Sequence, residues 1–239
     1  MTTPTTQPRL RARVVLFDLD DTLLANTGRP GADGADPFVA ELIRLMQRTH
    51  GLDSDEAATR VNAHLEQQGG HVTTQLQALG LDTEQFVRAM VERLRPSVHP
   101  FTDGIDAVRS LYERGYEIYP ATTNGHFACR VKLYLAGLVD LAGAGCFREL
   151  FGGAELVPEG KTSPTFYRTL LQRIDAAPDE VVMVGDHPEN DLALAQRAGI
   201  EQVVLPRRDQ SQPWVAADDG GIYVRALTWL LDALPPHPG

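Results

Sequence analysis

The sequence lacks the features that mark several classes of protein. Its 239 residues include only two cysteines, Cys129 and Cys146, which excludes a disulfide framework and favours reduced thiols in a cytoplasmic protein. It contains no run of about 18 apolar residues, and the first residues lack the apolar stretch of a signal peptide, so no membrane segment is expected. Basic residues are also few, at 22 against 32 acidic ones.

The resulting net charge of −10 bears on possible partners. A field of this sign repels nucleic acid and anionic membranes, so neither is expected as a partner. An anionic substrate would need positive charge concentrated at its binding site.

Short apolar runs recur along the chain and are typical of strands buried on both faces of a parallel sheet. They lie at residues 14–17, 116–121, 181–184 and 202–205. Helical patterns separate them, at 103–114, from Pro164 onward and at 188–199. Strands that alternate with helices in this way predict an α/β fold built on a doubly wound parallel sheet.

Residues 27–100 interrupt that alternation. A Gly- and Pro-rich stretch at 28–37 predicts a hinge loop, and helical patterns follow after Asp36, at 53–68 and at 82–94, with no strand. We therefore predict an α/β core domain from residues 10–26 and 101–234 and an inserted α-helical cap domain at 27–100. The tails 1–9 and 235–239 are predicted to be disordered.

Polar residues that could carry chemistry follow the predicted strands. In an open parallel sheet, ligands bind beyond the carboxyl ends of the strands, so these residues should meet at one edge. They are Asp18, Asp20 and Thr22 after the first strand, Thr123 and Asn124 after the second, and Asp186 and Asp191 after the third, with Lys161 just before the helix that leads into the third.

Crowded carboxylates suggest a cation at this edge. Asp18 and Asp20 are two residues apart and point to the same side of an extended chain. At about 4 Å and an effective dielectric constant of about 20, such a pair costs about 4 kcal/mol. A hard divalent cation removes that cost, and an all-oxygen site completed by Asp186 suits Mg²⁺. Asp18 could then act as a nucleophile toward a phosphoryl group that Thr123, Asn124 and Lys161 bind, with Thr22 predicted as a further phosphate ligand.

Four motifs together resemble those of the haloacid dehalogenase-like (HAD) hydrolase superfamily. They read "VVLFDLDDT", "YPATTN", "GKTSPTFY" and "VVMVGDHPEND", in that order, and cover about residues 14–205. The resemblance implies a Rossmann-like core, and the insertion after the first motif is similar to a C1-type cap. It favours Thr123 over Thr122 as the phosphate ligand, and it leaves Asp21 as a turn residue without a catalytic part.

The resemblance implies a role for each matching residue. Asp18 aligns with the nucleophile that forms an aspartyl-phosphate, and Asp20 with the general acid/base. The Asp18 carboxylate, the Asp20 backbone carbonyl and the Asp186 carboxylate would bind Mg²⁺. Asp191 would reach the metal through water or orient Lys161, which screens charge between phosphate and nucleophile.

These roles predict a Mg²⁺-dependent phosphatase acting on a small phosphorylated metabolite, and alternatives remain open. A phosphomutase or phosphotransferase of the same superfamily would pass the phosphoryl group to another hydroxyl. A metal-independent dehalogenase is disfavoured because family dehalogenases lack an acid at the position of Asp20. A catalytically silent binding module is disfavoured because every motif residue is present.

Overall fold

The fold is described by a computed structural model for residues 8–25, 36–68 and 76–236. The predicted hinge loop at 28–37 and the predicted disordered tails lie largely outside these residues. The described chain forms a mostly parallel six-stranded sheet between two helical layers, with further helices inserted after the first strand. This confirms the predicted fold class, whereas the predicted domain boundaries remain a prediction.

The strands are short and several match the predicted runs closely. In chain order they are β1 Val14–Phe17, β2 Leu24–Ala25, β3 His99–Pro100, β4 Glu117–Pro120, β5 Val181–Val184, β6 Gln202–Pro206, β7 Trp214–Ala216 and β8 Ile222–Val224.

The helices alternate with the strands in the core and follow one another in the insertion. They are α1 Pro37–His50, α2 Ser54–Gln68, α3 Thr83–Leu94, α4 Thr102–Glu113, α5 His126–Leu135, α6 Gly153–Leu156, α7 Pro164–Arg173, α8 Leu194–Arg197 and α9 Leu230–Ala233. Asp36 and Asp82 cap α1 and α3 by accepting backbone N–H bonds from Phe38 and Gln85.

The main sheet has the strand order β4-β1-β5-β6-β8-β7, and only β7 runs antiparallel to its neighbour. Strand β1 is buried along its whole length, and its side chains alternate between the two faces. Val14 and Leu16 pack into one hydrophobic cluster, while Val15 and Phe17 pack into the other. Burial on both faces explains why the strand reads as a continuous apolar run.

The predicted helix at 188–199 begins at Pro188 as expected, but its first half is not a regular α-helix. Pro188–Ala193 forms a π-helix, and a regular α-helix begins only at Leu194. His187 replaces the usual capping residue, since its ring Nδ1 accepts the backbone N–H groups of Glu189 and Asn190. A widened turn of this kind is common at functional sites, and this one contains Asp191.

The expectation of no strand within residues 27–100 is also wrong. Strands β2 and β3 form a two-stranded antiparallel ribbon that pairs Leu24 with Pro100 and Ala25 with His99. The ribbon joins the chain segments that lead into and out of the inserted helices. Two-residue strands are too short to show an alternating pattern, so the sequence carried no signal for them.

The inserted helices pack against the core through α3 and α5. The Phe86 ring on α3 is fully buried and meets Phe127 on α5 edge-on, with 5.7 Å between ring centroids. Beside this contact, Arg130 of α5 donates to Glu84 at 2.9 Å. A buried aromatic pair and an ion pair thus hold the inserted helices on the core.

Two further findings concern the cysteines and the possibility of a membrane-spanning helix. Cys129 and Cys146 are both free cysteines. Among the described residues, no helix is both long and apolar enough to cross a membrane.

We predict that Phe86→Ala will lower the free energy of unfolding by about 3–5 kcal/mol, because it leaves a cavity at the contact between the inserted helices and the core. Chemical denaturation followed by circular dichroism will measure the loss. Phe38→Ala is the matched control, since the Phe38 ring lies 6.3 Å from Phe86 but is only half-buried. Equal losses for the two variants would contradict the central role of Phe86.

Candidate active site

The site lies at the carboxyl ends of three neighbouring parallel strands. Strand β1 pairs with β4 and β5 in register, so Phe17 lies beside Pro120 and Val184. The segments that follow these residues therefore meet at one edge of the sheet, as the sequence predicts. This edge is the place where open parallel sheets bind their ligands.

Lys161 lies at the centre of this edge and is almost fully buried. Its Nζ lies 2.5 Å from Asp18 Oδ1 and 2.6 Å from Asp191 Oδ1, and it donates to the Ala121 carbonyl oxygen at 2.7 Å. Nζ thus donates to one acceptor after β1 and one after β4, and its ion pair with Asp191 adds a contact to the segment after β5.

Three carboxylate groups lie close together beside the Lys161 side chain. Oxygen atoms of Asp18, Asp186 and Asp191 all lie within 4.8 Å of one another. Asp18 and Asp191 are buried and Asp186 is half-buried. One ammonium group cannot balance three carboxylates, and their oxygens are the ligands that hard divalent cations prefer. The donor set therefore fits such a cation.

Burial and mutual repulsion perturb these groups. Burial raises the pKa of Asp18 to about 7, with Lys161 opposing and Asp191 and Asp186 reinforcing the shift. Burial and the charge of Asp191 likewise raise the pKa of Asp186. Burial disfavours the Lys161 cation, yet the charges of Asp18 and Asp191 outweigh this and raise its pKa. Lys161 is thus held as a cation.

Asp20 belongs to a separate polar cluster. Lys132 Nζ donates to both of its carboxylate oxygens, at 2.8 and 2.7 Å, and Asn124 Nδ2 donates to Oδ2 at 2.8 Å. The Asp18 and Asp20 carboxylates are therefore held by different lysines. Sequence reasoning missed Lys132, although a lysine within the apolar segment "HFACRVKLYL" is a signal that could have indicated a buried partner.

The predicted phosphate ligands have different environments. Thr22 is buried, and its hydroxyl donates to Asp18 Oδ2 at 3.3 Å. Thr122 is buried too, and its Oγ1 accepts from the backbone N–H and side-chain amide of Asn124. Thr123 is exposed, where a ligand could reach it. The Asn124 side chain is engaged by Asp20, Lys132 and Thr122, so its place is beside the carboxylate of Asp20.

Backbone geometry explains the residue types at two motif positions, Asp21 and Gly185. Asp21 has a φ of 59°, in the left-handed region that favours glycine but admits aspartate, and this agrees with its predicted place in a turn. Gly185 lets Asp191 approach, because a Cβ at this position would lie 2.3 Å from Asp191 Cγ. The Asp191 carboxylate also accepts the backbone N–H of His187 at 2.9 Å.

A cluster of this kind on a doubly wound sheet defines an α/β enzyme. The family model for the haloacid dehalogenase-like hydrolases matches residues 12–199, which is more than half of the chain. The protein therefore belongs to the haloacid dehalogenase-like hydrolases, as the four motifs predict.

The individual relatives are similar to this chain at low sequence identity. The chain is 26% identical over 208 residues to glyceraldehyde 3-phosphate phosphatase of Methanopyrus kandleri, a match that covers 82% of this chain and 84% of that protein. It is 28% identical over 116 residues to ribulose-1,5-bisphosphate 5-phosphatase of Halopiger xanaduensis, covering 48% and 46%. The solved structure of a HAD phosphatase from Thermococcus onnurineus is similar in fold, with a TM-score of 0.55 at 24% identity and coverage of 93% and 97%.

We predict that Gly185→Ala will lower the free energy of unfolding by about 1–3 kcal/mol, because the new methyl group must displace the buried Asp191 carboxylate. Thermal and urea unfolding will measure the change. Gly125→Ala is the matched control, since a Cβ at Gly125 has no heavy atom within 4 Å. A Gly185→Ala variant as stable as Gly125→Ala would show that Asp191 does not need this close approach.

Proposed function

We propose that the enzyme is a Mg²⁺-dependent phosphatase that hydrolyses a phosphate monoester of a small metabolite through an aspartyl-phosphate at Asp18. The observation that carries the proposal is the cluster of Asp18, Asp186 and Asp191 around Lys161, with Asp20 close by in sequence and held separately. Bound Mg²⁺ would neutralise charge on the phosphate and on the carboxylates of Asp18 and Asp186, with the Asp20 carbonyl as a further ligand and Asp191 in direct or water-mediated contact.

The reaction proceeds in two displacements. A carboxylate oxygen of Asp18 attacks phosphorus, and the bond from phosphorus to the ester oxygen breaks while Asp20 gives that oxygen its proton. The Asp20 carboxylate then takes a proton from water, whose oxygen attacks phosphorus and releases inorganic phosphate and free Asp18. Lys161 and Thr123 bind phosphoryl oxygens in both steps.

The names of relatives support a small phosphorylated substrate. One relative is named for glyceraldehyde 3-phosphate and another for ribulose 1,5-bisphosphate. A sugar phosphate is consequently the class we would test first. We further propose that residues 27–100 form the cap that selects the substrate and that the enzyme works in the cytoplasm, where its two free cysteines would stay reduced.

We predict that Asp18→Asn will lower kcat by at least about 10³-fold, because the amide cannot form the phosphoryl-enzyme. A screen of phosphorylated metabolites with Mg²⁺ will supply the substrate, and release of inorganic phosphate will measure the rate. Asp21→Asn is the matched control, since asparagine tolerates the left-handed backbone of this turn. It should stay within about threefold of the unaltered enzyme.

Other outcomes of the same assay would indicate the alternatives. Full activity of Asp18→Asn would contradict the aspartyl-phosphate mechanism. An isomerised sugar phosphate without inorganic phosphate would identify a phosphomutase. Halide release from a 2-haloacid that persists in EDTA would identify a dehalogenase, and inactivity with every substrate would favour a binding module.

We predict that the apparent affinity for Mg²⁺ will fall about tenfold between pH 8 and pH 6, as expected when one carboxyl group of pKa about 7 must lose its proton. The sign follows from the raised pKa values of Asp18 and Asp186. At pH 6 a proton occupies Asp18 and competes with the cation, whereas at pH 8 this carboxylate is ionised, and the raised pKa of Asp186 acts in the same direction. Isothermal titration calorimetry with Mg²⁺ alone will measure both the affinity and the protons released.

The control for this titration is Asp186→Asn, which should weaken Mg²⁺ binding at both pH values. An affinity that is constant between pH 6 and pH 8 would contradict the expected proton release. Activity that survives EDTA would contradict the metal requirement itself.

A further inference from the structure

A closed ring of hydrogen bonds holds the carboxylate of Asp20. Lys132 contacts both Asp20 oxygens and donates to Asn124 Oδ1 at 2.9 Å, while the amide group of Asn124 donates back to Asp20 Oδ2. Asn124 is itself fixed by Thr122, which accepts its second amide proton at 2.7 Å. Each member of the ring thus limits the rotation of the others.

The burial of the two charges is unequal. The Lys132 side chain is 8% exposed, whereas that of Asp20 is 28% exposed. A lysine this deeply buried needs a partner, because an unpaired ammonium group in the protein interior is strongly disfavoured. Asp20 provides that partner and still presents part of its side chain to the solvent side, where a substrate could approach it.

We propose that Lys132 is a positioning residue that fixes the Asp20 carboxyl group for proton transfer to the leaving ester oxygen and, in the second step, from the attacking water. The inference rests on the proposed function, since it takes Asp20 as the proton donor in the first displacement and the acceptor in the second. Lys132 keeps its own protons in both steps. It holds the direction of the Asp20 oxygens and stabilises the carboxylate that remains after the ester oxygen has been protonated.

The position of Lys132 on the fold supports this role. It lies on α5, a helix of ten residues whose N-terminus follows the Thr122–Asn124 segment. The helix is anchored two residues earlier by Arg130, whose Nε donates to the Leu141 carbonyl at 2.6 Å and whose guanidinium also pairs with Glu84. Lys132 therefore projects from a rigid support toward Asp20, 112 residues away in sequence.

The test compares two aryl phosphates of similar shape. The phenolate released from phenyl phosphate is a poor leaving group that needs a proton. The p-nitrophenolate released from p-nitrophenyl phosphate leaves readily without one. We expect Lys132→Met to lower kcat/KM for phenyl phosphate by at least about tenfold more than for p-nitrophenyl phosphate, since only the first reaction depends on a well-placed acid. An equal loss for both esters would indicate a merely structural role and overturn the proposal.

Arg130→Met is the matched control, because it removes the other buried cation of α5 without touching Asp20. It should change kcat/KM for the two esters by the same factor. If Arg130→Met produced the same preference for p-nitrophenyl phosphate as Lys132→Met, a general disturbance of α5 would explain both variants, and the proposal would be wrong.

A double-mutant cycle provides an independent measurement. In an Asp20→Asn background, Lys132→Met should cause no further preference between the esters, because the two residues act through one proton transfer. Additive preferences would contradict the inference. If Lys132→Met fails to fold, Lys132→Gln carries the same expectation, since its amide can donate to only part of the Asp20 carboxylate.

Failure of the inference can be told apart from failure of the proposed function. Mg²⁺-dependent release of phosphate from p-nitrophenyl phosphate that Asp18→Asn abolishes establishes the function, whatever Lys132→Met does. If the unaltered enzyme releases phosphate neither from p-nitrophenyl phosphate nor from any phosphorylated metabolite of the screen, the proposed function fails, and with it the role assigned to Lys132.

Discussion

The ion pair of Lys161 with Asp18 and Asp191 is the interaction on which the rest of the site depends. The lysine is almost fully buried and also donates to the Ala121 carbonyl, so one ammonium group joins segments that follow three different strands. A buried cation tolerates little change in its partners, because each lost acceptor leaves charge without compensation. The strand ends are therefore kept at fixed distances, and the carboxylates that face a ligand are aligned before it binds.

Two lysines place Asp18 and Asp20 of the first motif in different environments. Lys161 pairs with Asp18 in the cluster that fits a cation, whereas Lys132 pairs with Asp20 in the ring that includes Asn124. Residues only two positions apart thus occupy different electrostatic environments. Environments that differ in this way allow neighbouring carboxyl groups to serve as nucleophile and proton carrier in one reaction.

The sequence predicts those parts of the fold and site that have local signals. Strands β1 and β5 read as apolar runs because both faces are buried, and Asp18 and Asp186 follow these runs directly or after one glycine. Lys132 has only the signal of a lysine in an apolar segment, which does not identify its partner, because Asp20 lies 112 residues away and comes near only when α5 is placed beside the first motif. The π-helix that begins at Pro188 depends on His187 and on packing around Asp191, and a helical sequence pattern does not distinguish it from an α-helix.

The ribbon of β2 and β3 has a consequence for how such a protein can vary. Leu24 and Ala25 lie beside Pro100 and His99, so the chain leaves the sheet and returns to it at adjacent points. The ribbon thus brings the two ends of the insertion together. Each doubling of the length of a flexible loop adds only about 0.6 kcal/mol of closure entropy. Insertions of quite different size could therefore be carried between these two strands at little cost to the sheet below.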